Sequence, residues 1–288
     1  MTVATLCDWL QQLAPLELSE DWDNTGLLLG DPAAAVERVM TCLTLTPASV
    51  AEALAEGAQM VVVHHPLPFK PLAKITTQSY SGRLVWELAR AGISVYSPHT
   101  AWDSAPRGIN ARLADMLGLT QVAPLIPADP VRWPNLSVNV GAGRSGVLPQ
   151  PLTISEITDL LAQQLPSCRP RVSEPERIGT AEMDGPEAEP PRLVRKVAIC
   201  CGSGGSLLSA AVASHCDLFL TGEGTFHTCL ESQAAGIALL MIGHFASERF
   251  AMEQLATELS AAHPQVAVWA SKLEGDPVRN CEVRSIHP

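Results

Sequence analysis

What these 288 residues lack narrows the field first. No run approaches twenty consecutive apolar residues, the length a helix needs to cross a bilayer, so no spanning helix is expected. Positive charge is scarce: 19 Lys and Arg against 30 Asp and Glu leave a formal net charge of −11. That sign argues against nucleic acid as a partner, because backbone phosphates need a basic face. It would also slow an anionic substrate unless metal ions offset it locally. The eight cysteines include no Cys-x-x-Cys pair and no framework spacing. Cys200 and Cys201 close an apolar run, as buried thiols do, and the pattern fits a reducing cytoplasm. The opening MTVATLCDWLQQL has no basic flank and reads as an amphipathic helix, not a signal peptide.

What is present is the βαβ pattern of an α/β protein with mostly parallel, covered sheets. The N-terminal half reads as helix 3–13, strand 38–45, helix 47–56, strand 60–64, helix 80–91, strand 93–97 and helix 108–117. A strand and turn follow over 136–147, then a helix over 153–165 with Ser155 as its expected N-cap. The C-terminal half reads as strand 193–200, helix 207–214, strand 217–221, helix 225–235, strand 238–242, helix 247–260 and strand 266–270. Between them, 167–192 is rich in Pro, Glu and Gly and is expected to be an exposed loop.

The halves resemble each other. In both, Ala-Gly-Ile enters a strand with a His at its end and an acid four residues later, which makes His99 and Asp103 the counterparts of His244 and Glu248. Two βα units of a common type can agree this far by chance. An internal duplication explains it better, and predicts two similar α/β lobes, 1–125 and 126–288, with strand ends facing one shared cleft. The C-terminal helix is expected to pack on the first lobe.

Ligands of open parallel sheets gather beyond the carboxyl ends of the strands, and the chemistry-bearing residues lie there. His64 and His65 follow three valines and precede Pro66. In regular strand they would face opposite ways, but a turn at the proline would let both imidazoles enter one cleft. The His244-x3-Glu248 spacing places both side chains on one side of a helical turn, although helix capping with a polar surface gives the same spacing. Asp103 adds a carboxylate able to bridge two ions. Three imidazoles and two carboxylates suit Zn, Mn, Fe or Co better than Mg or Ca. His99 is expected to orient Asp103 or a bound water. Two weaker features remain. Gly202, Ser203, Gly204 and Gly205 form either an anion cradle or a tight packing turn. Glu223 and His227 are either acid/base groups or a capping Glu beside a satisfied His.

Six motifs in order carry a family resemblance: DWDNTGLLLGD (21–31), VVVHHPLPF (61–69), SPHTAWDSAPRGIN (97–110), CCGSGGS (200–206), TGEGTFH (221–227) and GHFASE (243–248). With them the chain resembles the Nif-three-like dinuclear metal proteins, also labelled GTP cyclohydrolase I type 2 homologues. The resemblance implies two divalent metal ions held by His64, His65, Asp103, His244 and Glu248 in the cleft between the lobes. It also implies assembly into a hollow homohexamer, and a hydrolase acting on a nucleotide or similar small heterocycle. Opening the GTP ring would require water at C8 and release of formate, yet no aromatic-plus-acid pattern marks a guanine clamp. The same ligands would equally serve a phosphoesterase or a non-enzymatic metal-binding scaffold. The chain is too short for the extra domain that some members insert between the lobes.

Overall fold

Among the described residues, two large sheets and one short strand pair organise the fold. The computed structural model describes residues 1–131, 139–175 and 191–279. Helix α1 (Val3–Leu13) is capped by the Thr2 hydroxyl and leads to β1 (Gly26–Leu29) and β2 (Arg38–Cys42). Next come α2 (Pro47–Ala55), started by a Thr46–Ser49 capping box with proline at its first position, and β3 (Met60–Val63). They are followed by α3 (Tyr80–Arg90), β4 (Ser94–Ser97), α4 (His99–Ser104) and α5 (Ile109–Met116).

The second half has β5 (Thr120–Ala123), the short pair β6 (Ile126–Pro127) and β7 (Gly141–Ala142), β8 (Arg144–Thr153), α6 (Ile154–Gln164) and β9 (Arg171–Ser173). Then follow β10 (Leu193–Cys200), α7 (Leu208–Ala213), β11 (Leu218–Thr221) and α8 (Phe226–Ala234). The chain continues through β12 (Ala238–Met241), α9 (His244–Ala262) and β13 (Ala267–Ala270).

The sheets run β1-β4-β3-β2-β13 and β9-β12-β11-β10-β8-β5. In each, an antiparallel edge strand (β1 or β9) pairs with the last of three parallel strands. That shared order is the topology a duplication predicts. It breaks at the fifth position, where β13 is parallel to β2 while β8 is antiparallel to β10.

Alternate residues of the central strands enter different cores. Met60 and Val62 of β3, with Leu218 and Leu220 of β11, join one large cluster that also takes Trp102, Ile109 and Leu255 from the helices between the sheets. Val61 and Val63 face α2 and α3 on the outer side of the first sheet, and Phe219 and Leu239 face the outer helices of the second. Strands buried on both faces explain the near-continuous apolar runs.

Several boundaries differ from those read in the sequence. Strand β1 and helix α4 are too short to show a period of their own. The cap of α6 is Thr153, not Ser155, since the Thr153 hydroxyl takes the Glu156 N–H while Glu156 reaches back. Of the strand expected over 136–147, residues 136–138 lie outside the described residues; β8 begins at Arg144 and continues to Thr153. Most of the 167–192 loop also lies outside them, but β9 occupies 171–173 and pairs with β12. The last strand, expected with the second lobe, completes the first sheet instead, and α9 packs on β2 and β13.

A buried carboxylate fastens that return. Glu52 of α2 accepts hydrogen bonds from the Ser271 hydroxyl (2.6 Å) and from the N–H groups of Lys272 (2.9 Å) and Leu273 (3.0 Å). Burial pushes its pKa up, but these bonds outweigh burial and hold it below the usual range. The depressed value means that the contribution is present above the unfolded-state pKa of about 4.3 and disappears as pH falls through the folded value. Glu52→Gln is expected to cost about 1–3 kcal/mol at pH 7. In urea titrations from pH 7 down to 3, its deficit against the wild type should shrink below about pH 4.3; a deficit constant with pH would refute the clasp.

Candidate metal centre

The parallel ladder holds both histidines of the His-His pair. Beyond β3, the His64 N–H bonds to Cys42 O (3.1 Å) and the His65 N–H to Leu43 O (2.9 Å). The chain then turns at Pro66, and the two rings come to 5.2 Å between centroids, in one cleft. From the other sheet, Gly243 (φ +98°), two residues beyond β12, caps α9, which starts at His244, three residues earlier than the periodicity suggests. Glu248 therefore sits one turn along, with Oε2 3.0 Å from His244 Nε2 and 3.0 Å from His65 Nε2. His244 Nε2 is itself 3.2 Å from His65 Nε2. Asp103, on α4, brings Oδ1 to 3.7 Å from His64 Nε2, while Glu248 Oε1 is 3.8 Å from the same nitrogen. Ligand atoms within 4.8 Å of one another form two overlapping triads, His64-His65-His99 and His65-His244-Glu248.

Three of the four imidazoles have Nδ1 fixed from behind. Thr44 Oγ1 meets His65 Nδ1 at 2.7 Å, Asp23 Oδ1 meets His99 Nδ1 at 2.7 Å, and Glu223 Oε1 meets His244 Nδ1 at 3.0 Å. Such partners orient a ring and leave Nε2 for the centre. The fourth, His64, is fully buried, and neither ring nitrogen has a hydrogen-bond partner. A buried unpaired imidazole is costly, and a cation against Nε2 would satisfy it. Nitrogen and carboxylate donors also match a borderline transition metal. The residues fit a metal ion.

The electrostatics agree. Burial holds His64 well below its usual pKa, in the neutral form a ligand needs. Burial, reinforced by the Glu248 charge, pushes Asp103 up to about 7. Burial raises Glu248 too, but hydrogen bonds from His244 and His65 reverse this and leave it ionised. The hydrogen bond to Glu248 raises His244 to about 9. Two carboxylates this close are what a cation would relieve.

A family profile described as Duf34/NIF3 (NGG1p interacting factor 3) matches residues 1–277. The chain belongs to the Duf34/NIF3 family. It is 30% identical over 276 residues to a protein of Clostridium acetobutylicum named "GTP cyclohydrolase 1 type 2 homolog", covering 96% of this chain and 90% of that one. A Streptomyces coelicolor protein of the same name is 33% identical over 242 residues, covering 83% and 79%. In fold the chain is similar to the crystal structure of a Bacillus cereus protein related to NIF3, with a TM-score of 0.82 at 20% identity over 98% of this chain and 99% of the other.

In this Duf34/NIF3 chain two of the weaker expectations change. His227 is exposed in the first turn of α8, against Phe226, and belongs to neither the cluster nor the cleft beside it. Glu223 does reach the centre, but as the support of His244, and it also accepts the Ser203 hydroxyl. In the 202–205 loop the Gly202 N–H goes to Ser247 Oγ (2.9 Å) and the Gly204 N–H to Thr221 Oγ1 (3.1 Å), so these two donors are taken up in packing. Gly202 is there because Glu248 is: a Cβ on it would lie 2.2 Å from Glu248 Oε1. Cys201, in the same segment, places Sγ 3.3 Å from Asp103 Oδ1. The supports Asp23 and Thr44 were missed, although Asp23 stands in the DWDNTG motif. Its carboxylate also receives the Thr100 N–H and hydroxyl. Among the described residues no helix is long and apolar enough to cross a membrane.

Proposed function

We propose that this chain is a metal-dependent hydrolase acting on a nucleotide or similar small heterocycle. His64, His65, Asp103, His244 and Glu248 would hold two divalent transition-metal ions, and His99, backed by Asp23, would border them. When bound, such ions polarise the bond under attack and lower the pKa of a water to near neutrality. Glu223 keeps the Nδ1 proton of His244 in place so that Nε2 faces the centre, and Asp23 does the same for His99. The observation that carries the reading is a cleft of about 670 Å³ opening directly onto His65 and His244, within the size range of small-molecule sites. An open side beside the ligands favours catalysis over a closed structural or storage site. The relatives' name, "GTP cyclohydrolase 1 type 2 homolog", supports a nucleotide as substrate.

The test is the metal-reconstituted protein assayed against a panel of nucleotides and phosphoesters, beside a His64→Ala control. Turnover on at least one substrate is expected, reduced about 100-fold or more in the variant. Turnover no greater than the control on any substrate would remove the hydrolase reading and leave a metal-binding scaffold.

A further inference from the structure

The cleft beside His65 and His244 has a second chemical character that the metal ligands do not account for. Its lining includes Arg169 and Arg171, on the segment that enters edge strand β9. The Arg169 N–H donates to Ile242 O (3.0 Å), and Arg171 lies opposite Met241, so this segment runs along the carboxyl end of β12, immediately before Gly243 and His244. Residues i and i+2 of an extended segment share a face, which turns both arginines to the cleft. The corresponding edge strand of the first sheet is β1, and the segment entering it supplies Asp23 to His99. The same place in the repeat thus borders the cluster or its cleft in both halves, with opposite charge.

Arg169 is steadied through one nitrogen, Nη1, by the carbonyls of Pro166 (3.2 Å) and Cys168 (2.8 Å). The Arg171 side chain makes no hydrogen bond or ion pair with any described residue. The acids of the cleft are engaged elsewhere: Glu223 with His244 and Ser203, Asp276 with the Val278 N–H. In a chain of net charge −11, two arginines free to face a ligand are a local reversal. Leu43, Phe245 and Pro277 line the same cleft and give it apolar surface.

We propose that Arg169 and Arg171 form the anion subsite of this cleft and hold a phosphate-type dianion whose apolar or aromatic body lies against Leu43 and Phe245. Two planar guanidinium forks suit a dianion with several acceptor oxygens better than a single carboxylate. The inference rests on the metal-centre reading only in that bound cations would add to the positive field of the cleft.

Isothermal titration of the metal-reconstituted protein with phenylphosphonate, which carries no hydrolysable ester, tests it, with benzoate as the monoanionic comparison and metal content measured on every sample. Phenylphosphonate is expected to bind more tightly than benzoate. Arg171→Ala should weaken it about ten-fold or more and Arg171→Lys should restore only part, both with unchanged metal content and thermal midpoint. Equal affinity in wild type and Arg171→Ala, or no binding by fully metallated wild type, would overturn the subsite. Benzoate binding as tightly as phenylphosphonate would overturn the dianion assignment. Arginine-dependent binding by a wild type that takes up no metal would support the subsite while removing the hydrolase reading.

Discussion

Replacing His244 and Glu248 together with alanine is expected to reduce the bound transition metal to background, measured by elemental analysis after reconstitution and gel filtration. The two residues are the whole contribution of α9, and Glu248 Oε2 is the atom on which His65 and His244 converge at 3.0 Å each. What remains, His64, His65 and Asp103, lies on the side of the first sheet alone. Losing an outer partner of a metal ligand already costs 10- to 100-fold in affinity as a rule, so losing two ligands should exceed about 100-fold. Loss of fold would imitate this result. A circular dichroism spectrum and thermal midpoint of the metal-free protein, compared with metal-free wild type, separate the two. Metal at the wild-type level in the double variant would show that the centre lies elsewhere.

The second large effect belongs to a residue with no functional group. Gly202→Ala places a methyl 2.2 Å from Glu248 Oε1 and 3.3 Å from His244 Nε2, on a backbone with φ +58°. The left-handed conformation costs a non-glycine residue about 1–2 kcal/mol, and overpacking adds about 1–3 kcal/mol. Glu248 must move, so metal affinity should fall along with stability in urea. Gly57→Ala is the matched control: its φ is +63°, but nothing lies within 4 Å of the added carbon. Only the backbone part of the penalty should appear there, with metal binding intact. If the two variants behaved alike, the contact between the 202 turn and Glu248 would have no role.

The clustered histidines were legible because they sit just beyond strand ends, where an apolar run stops, whereas Asp103 on α4 and Glu248 on α9 were marked by their spacing from His99 and His244. His64-His65 after three valines is such a place, and so is His244 after Ile242-Gly243. The supports were not legible, because they come from remote parts of the chain: Asp23 is 76 residues before His99, and Thr44 is 21 before His65. A lone Asp or Thr in a loop carries no periodic signal. The start of α9 was misplaced for a local reason. Ser247 looks like a cap, but its hydroxyl bonds to His244 O and receives the Gly202 N–H, while Gly243 makes the turn. The pairing of β13 with β2 had no sequence signature either, since a short parallel strand reads the same beside any neighbour. His227 lies outside the cluster and its cleft, since a helix-start position alone does not say which way the helix faces.

The return of β13 to the first sheet governs when the centre can come into being. A ribosome delivers the chain from its N-terminus, and β1 to β4 emerge long before their fifth strand. Contacts such as Thr41 with Met252 and Glu52 with Ser271 join residues 211 and 219 positions apart, and pairings of that separation form late because loop closure precedes any gain. The half of the centre on α9 is carried into place by the same segment. Until synthesis is nearly finished, the nascent protein presents His64 and His65 without Glu248, so a truncated chain would hold metal weakly.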